Sequence, residues 1–123
     1  MASLKIVWNK EVCEAERAGT MIPPYIGHRH MLTILGAIIF EDDHFGIDFG
    51  ETEEEQRAIN IEGSEAQLAL FKRCLENGDW PSEEEVADSA KHFLVEVNGE
   101  HRDGCAHYLG DVKRIASSIE IAP

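Results

Sequence analysis

The sequence predicts an α+β fold, in which a small antiparallel β-sheet carries two to four helices packed on one of its faces. Apolar residues that alternate with polar ones mark strands in the first half of the chain. Apolar residues at helical spacing, preceded by capping residues, mark helices mainly in the second half. Runs of strands and runs of helices favour separate layers. The chain has 123 residues and no linker-like segment, so 1–123 is expected to form a single globular domain.

The strand predictions start with residues 4–8, which are rich in β-branched and aromatic side chains. Within 31–62 we expect an antiparallel meander with one buried face. It would begin with the near-continuous apolar run 31–40 and continue through 45–49, where every second residue is apolar. The alternating run 57–62 would be its last strand.

Two capping boxes predict two helices. Ser64 and Gln67 form the first box, and the helix that follows is expected to end before Gly78, which tolerates a left-handed backbone. Ser82 and Glu85 repeat the pattern and predict a second helix with an apolar face.

Further elements are predicted from spacing alone. Residues 9–18 are a candidate short helix, and 106–119 carries apolar residues at helical spacing and is expected to be the last helix. Residues 94–97 fit either a fourth strand or the end of a helix.

The negative charge is concentrated in two segments. Of a formal net charge of −13, residues 41–62 contribute nine acids and one base, and residues 76–88 contribute six acids and no base. The rest of the chain is therefore almost neutral. Charge gathered in this way makes a local field that can steer a cationic partner. The predicted partner-binding residues are Glu41, Asp42, Asp43, Asp48, Glu51, Glu53, Glu54, Glu55, Glu83, Glu84, Glu85 and Asp88.

This pattern predicts a small acidic binding protein that inhibits or neutralises a basic partner, a nucleic-acid-binding enzyme or a toxin, by occupying its basic surface. Like charge disfavours direct binding to nucleic-acid phosphates and to anionic membranes, and no cofactor is expected. In size and charge alone, the chain resembles toxin-immunity proteins, DNA mimics and anti-CRISPR proteins. That resemblance implies occupation of a groove lined by Lys and Arg. The less specific interpretation is an accessory domain whose acidity serves solubility.

Two clusters of histidines support an alternative prediction, a small metalloprotein. His28 and His30 would present both rings on one face of a strand, and His101, Cys105 and His107 would supply a second set of ligands. Zinc takes three or four such nitrogen and sulfur ligands. No complete zinc-binding sequence motif is present, so spacing alone carries this prediction.

The second histidine cluster also fits nucleophilic catalysis in a hydrolase. Cys105 with His101 or His107 would form a thiol–imidazole pair, and Asp103 or Asp111 would orient the imidazole. No complete catalytic motif accompanies these residues, so no catalytic site is predicted.

The cysteines indicate a reducing compartment. Cys13, Cys74 and Cys105 are an odd and sparse set, which does not make a disulfide framework and favours the cytoplasm. The first residues lack the pattern of a signal peptide. The longest apolar run, 31–40, is too short to cross a membrane as a helix.

Overall fold

The fold is α+β, with a three-stranded antiparallel sheet of order β2-β1-β3 and three helices packed against it. The computed structural model describes residues 2–9, 11, 26–42, 44–48, 50, 52, 54–92, 94 and 102–122. The strands are β1 (Ala2–Trp8), β2 (Ala58–Gly63) and β3 (Ala116–Ala122). The helices are α1 (Ile26–Phe40), α2 (Glu65–Asn77) and α3 (Arg102–Ile115). The predicted fold class is therefore confirmed.

The central strand β1 pairs antiparallel with both neighbours. Its alternate residues Leu4 and Ile6 point to the inner face, where Ile6 lies between Ile59 of β2 and Ile119 of β3. Lys5 lies on the opposite, outer face and is exposed. The strands predicted at 4–8 and 57–62 are confirmed, because period-two alternation places one face of each strand against the helices.

The predicted meander within 31–62 is wrong, because residues 31–40 form the last ten residues of α1. Met31, Leu35 and Ile38 are fully buried in this helix, which packs against both other helices. A helix buried on nearly all sides needs apolar residues all round. Its sequence then looks the same as that of a buried strand.

The middle strand is predicted over 45–49, and the described residues 45–48 are irregular. Phe45 and Ile47 are half-buried and pack against the core, so their predicted burial holds although their predicted pairing does not. Phe45 stacks on Phe40, with ring centroids 5.3 Å apart, and lies over Gly36, which offers no Cβ. The chain thus folds back along α1 instead of entering the sheet.

The helix α2 forms as predicted. The Ser64 hydroxyl accepts from the Gln67 N–H at 3.1 Å, and the Gln67 side chain accepts from the Ser64 N–H at the same distance. At the other end Gly78 has φ 71° and donates its N–H to the Cys74 carbonyl. Both ends are set by local chemistry, which explains why the sequence predicts them.

The second capping box forms but does not start an α-helix. Ser82 caps a single 3₁₀ turn, Glu83–Glu85, and a second such turn, Asp88–Ala90, follows. Between them Val86 is extended and packs, together with Trp80, against the buried cluster of Ile38 in α1 and Leu94. Burial of these side chains against α1 outweighs helix continuation at this point.

The helix predicted over 106–119 ends at Ile115, and residues 116–119 belong to β3. Ile119 therefore faces Ile6 across the sheet instead of continuing the helical stripe. The helix predicted over 9–18 and the element predicted over 94–97 lie almost entirely outside the described residues. Within the described part of the chain, no helix is long and apolar enough to cross a membrane.

Candidate functional site

The two acidic segments of the sequence meet where α1 ends. The Ser89 hydroxyl donates to the Glu41 carboxylate, Oγ to Oε1, at 2.8 Å. Near these segments, Ile38 of α1 and Leu94 form a small buried cluster, and the half-buried Val86 packs against it. Six exposed carboxylates lie close to this bond along the chain, within 41–42 and 83–88, and we call them the acidic surface: Glu41, Asp42, Glu83, Glu84, Glu85 and Asp88.

The C-terminus of α1 positions Glu41. The backbone of Glu41 is left-handed, with φ 55°, and the Asp42 N–H donates to the Ala37 carbonyl at 3.2 Å. This bond closes the end of the helix in the manner of a Schellman motif. A non-glycine residue in this conformation costs about 1 kcal/mol. The carboxylate that bonds Ser89 therefore sits on a backbone that glycine would adopt more easily.

The segment 82–91 is tied to α2 through Glu85. One oxygen of Glu85 accepts from the Ser82 N–H at 2.9 Å, and the other is ion-paired with Arg73 of α2. The Arg73 side chain first, and the Ser82 N–H second, lower the pKa of Glu85 to about 2. Glu85 therefore stays ionised throughout the physiological pH range.

Lys91 lies among the other carboxylates of this segment. Its Nζ is 2.8 Å from Asp88 Oδ1. The bond to Asp88 raises the pKa of Lys91, and the charges of Glu83 and Glu84 raise it further. These three carboxylates therefore share one neighbourhood. Set against the two cations that pair with it, Lys91 and Arg73, the acidic surface keeps a net charge of −4.

The other predicted acids have local roles in the loop before β2. Asp48 Oδ1 accepts from the Gly50 N–H at 2.9 Å. Thr52 and Glu55 bond each other reciprocally, the Thr52 hydroxyl to Glu55 Oε1 at 2.9 Å and the Glu55 N–H to the Thr52 hydroxyl at 3.1 Å. Among the described residues, no hydrogen bond or ion pair joins Asp48, Glu54 or Glu55 to the acidic surface.

Three of the predicted partner-binding residues, Asp43, Glu51 and Glu53, lie outside the described residues. The structure thus brings together half of the predicted set. It gives Asp48 and Glu55 roles in ordering their own loop.

A buried histidine–carboxylate pair joins α1 to α3. His28 Nε2 lies 2.8 Å from Asp111 Oδ2, and His28 is only 7% exposed. Arg114 binds the same carboxylate through both of its oxygens, at 2.7 and 2.9 Å, while the ring of Tyr108 meets the His28 imidazole edge-on at 4.7 Å. Arg114 first, and His28 to a smaller extent, lower the pKa of Asp111 to about 2, although its partial burial acts in the opposite direction.

The geometry assumed for the histidine metal site is wrong. His28 and His30 lie on a helix, where residues two apart point in different directions, so His28 is buried and His30 is exposed. His101 and the side chains of Cys105 and His107 are outside the described part of the chain. Among the residues that are described, no group of three or more His, Cys, Asp or Glu could hold a metal ion.

Cys74 is a packing residue in α2. It is a free thiol that is 2% exposed, and burial is the main cause that raises its pKa to about 11. A thiol that stays protonated at neutral pH is a poor nucleophile.

Several residues of these sites are not predicted from the sequence. The pairs Asp88–Lys91 and Asp111–Arg114 lie three residues apart, a spacing that indicates an ion pair on a helical turn. Ser89 carries no such signal, because its partner Glu41 is 48 residues away in the chain.

No protein-family model, curated protein or solved structure matches this chain.

Proposed function

We propose that this protein is an acidic binding protein that neutralises a basic partner, a nucleic-acid-binding enzyme or a toxin, by covering the partner's basic surface. The observation that carries the proposal is the Ser89–Glu41 bond, which joins the two acidic segments of the sequence on one exposed surface. Carboxylates spaced along such a surface would imitate the phosphates that a Lys/Arg-lined groove binds. DNA-mimic, anti-CRISPR and immunity-type inhibitors would act by the same means.

Two carboxylates of the acidic surface are ordered by donors on the protein, which supports this proposal. Glu41 accepts from the Ser89 hydroxyl, and Glu85 accepts from the Ser82 N–H and pairs with Arg73. Side chains that are already ordered lose less conformational entropy when they bind a partner. The field of the surface would speed encounter, and its effect would weaken as salt rises, because charges are screened over about 8 Å at physiological ionic strength.

A recess lies beside the acidic surface, and Trp80 would supply an aromatic contact for a partner there. It has a volume of about 470 Å³, and its lining combines the half-buried Trp80 and the buried Pro81 and Cys74 with the polar or charged side chains of Arg73, Asn77 and Asp79. Binding energy at protein interfaces is concentrated where a side chain fills such a pocket. The free, buried thiol of Cys74 fits action in a reducing cytoplasm.

The test compares two doubly charge-reversed variants that change net charge equally. Glu83→Lys with Glu84→Lys alters the acidic surface, whereas Glu65→Lys with Glu120→Lys alters exposed positions on α2 and β3. Each protein is immobilised without a tag and exposed to an extract of the native cells. Bound proteins are eluted with rising NaCl and identified by mass spectrometry.

We expect the wild type and the Glu65/Glu120 variant to retain the same basic protein and to release it as salt rises. The Glu83/Glu84 variant should fail to retain it. The proposal is wrong if no basic protein binds, or if the Glu83/Glu84 variant retains it as strongly as the control. Circular dichroism checks that each variant is folded.

A further inference from the structure

A groove lies between the segment 44–48 and the edge strand β2. Its volume is about 320 Å³, and its lining comprises Phe45, Gly46, Ile47, Asp48, Asn60, Ile61 and Glu62. Asn60 and Glu62 belong to the outer face of the sheet and Ile61 to the inner face. Because residues of both faces line it, the groove opens onto the edge of β2.

The outer edge of β2 is unpaired in the described structure. The strand pairs with β1 on its other side, and no described hydrogen bond joins 44–48 to it. In an antiparallel strand, alternate residues turn their backbone N–H and C=O away from a given neighbour. An unpaired edge of this kind is a template for an added strand.

The two sides of the groove differ in chemistry. On the inner side, Phe45 and Ile47 are half-buried apolar groups that pack next to Ile61. On the other side the exposed carboxylates of Asp48 and Glu62 line the groove, and none of its described lining residues is a cation. A strand inserted here would place apolar side chains on one face and cationic side chains on the other, since side chains alternate along a strand.

We propose that the free edge of β2 binds an extended segment of the basic partner as a fourth strand, with apolar and basic residues at alternate positions. This inference rests on the proposed function in taking the partner to be basic. The six residues of β2 span about 20 Å, which matches a partner segment of about six residues. Backbone hydrogen bonds would hold the segment, and the alternating side chains would select it.

Charge disfavours a second copy of this chain as the occupant. Pairing two β2 edges would bring together the Glu62 and Asp48 carboxylates of both copies, in a chain whose net charge is −13. Like charges placed opposite each other destabilise strand pairing. A basic segment would instead be attracted to the Glu62 and Asp48 carboxylates.

The probe is an acetylated, amidated peptide of alternating valine and lysine, roughly six residues long to match β2. Its affinity is measured by isothermal titration for the wild type, for Glu62→Lys, and for the matched control Glu120→Lys. Both substitutions reverse an exposed charge on the outer face of the sheet, but Glu120 lies on β3, on the far side of β1. A second peptide carries N-methyl groups at alternate residues, which block hydrogen bonds along one edge. Amide NMR shifts locate the bound peptide.

We expect Glu62→Lys and N-methylation each to weaken binding by roughly tenfold or more, and Glu120→Lys to weaken it by less than about twofold. Amide shifts should concentrate in β2 and 44–48. The proposal is overturned if the peptide does not bind, if both variants lose affinity equally, or if the N-methylated peptide binds as well. A dimer in sedimentation whose β2 amides are protected would show that a second copy occupies the edge.

Failure at this groove is distinguishable from failure of the proposed function. The Glu83/Glu84 variant could lose the captured partner while Glu62→Lys retains it fully. That result would show that the partner binds the acidic surface and not the groove.

Discussion

His28 and Asp111 are 83 residues apart in the sequence and 2.8 Å apart in the structure. Asp111 would suit the orienting role that the sequence suggests for it, but the ring it orients is that of His28. The imidazole is buried between α1 and α3, and Arg114 neutralises the carboxylate from the solvent side. The bond favours this packing of α1 against α3, because leaving a buried polar group without its partner is costly.

We expect Asp111→Asn to lower the free energy of unfolding by about 1–2 kcal/mol at pH 7, through loss of charge-assisted bonds to Arg114 and His28. The pKa of Asp111 is about 2 in the folded protein, below its ordinary value of 3.8. The carboxylate therefore adds stability above pH 3.8, and this stability is lost as the pH falls towards 2.

Urea denaturation between pH 7 and pH 2 measures this effect. The difference between wild type and Asp111→Asn should shrink below about pH 4. Asp79→Asn, the same exchange at an exposed aspartate, serves as the control and should change stability little at any pH. A difference that stays constant down to pH 2 would contradict the assigned role of the Asp111 charge.

At Glu41 a local backbone cost accompanies the contact between the two acidic segments. The left-handed backbone of Glu41 closes α1, and its side chain bonds Ser89 on the other acidic segment. Non-glycine residues with a strained backbone cluster at binding sites. Here the strain coincides with the position at which the two acidic segments meet.

At the scale of elements, the contact between Gly36 and Phe45 sets the course of the chain after α1. A Cβ at position 36 would overlap the Phe45 ring. We expect Gly36→Ala to destabilise the protein by about 1–2 kcal/mol, because the ring must leave its place against α1. With Phe45→Ala already present, the same substitution should stabilise by about 0.5–1 kcal/mol, since alanine is the better helix former.

A double-mutant cycle in urea tests this reversal of sign. Stabilisation by Gly36→Ala in the otherwise wild-type protein would show that the Phe45 ring does not rely on the space over Gly36.

Elements with local signals could be predicted from the sequence, and elements decided by distant packing could not. β1, β2 and α2 are specified by alternation or by caps that act within a few residues. α1 is buried against α2 and α3, so its periodicity is hidden in a continuous apolar run. β3 follows α3 without a break, and Ile119 happens to continue the helical spacing.

The candidate site likewise has features that the sequence predicts and features that depend on distant packing. The acidic composition of 41–42 and 83–88 is visible in the sequence. Their meeting through Ser89 is not visible in the sequence, because Glu41 and Ser89 are 48 residues apart and Val86 packs against a cluster formed by Ile38 and Leu94 from distant parts of the chain. Equally, the sequence does not show that Asp48 and Glu55 bond within their own loop.

At the scale of the whole molecule, the chain has 24 acidic and 11 basic residues, and repulsion among the acidic residues opposes folding. The described ion pairs, such as Arg73–Glu85 and Asp88–Lys91, offset part of this repulsion. Both pairs are largely exposed, and exposed pairs contribute little to stability. Repulsion should therefore dominate the response of the protein to salt.

We expect the free energy of unfolding to rise as NaCl increases from about 20 mM to about 0.5 M, because screening weakens repulsion in the folded state more than in the expanded unfolded chain.

At low salt, the Glu83/Glu84 reversal should stabilise the protein more than the Glu65/Glu120 reversal, although both change net charge by the same amount. The reason is that Glu83 and Glu84 share one acidic segment with Asp88 around Lys91, whereas a negative charge is favourable at Glu65 in the first turn of α2 and at Glu120 opposite Lys5. Urea titrations at each salt concentration measure both effects. A stability that falls with NaCl would show that attraction outweighs repulsion. Equal effects of the two reversals would show that stability depends on the net charge of the whole molecule and not on the placement of charges in the acidic surface.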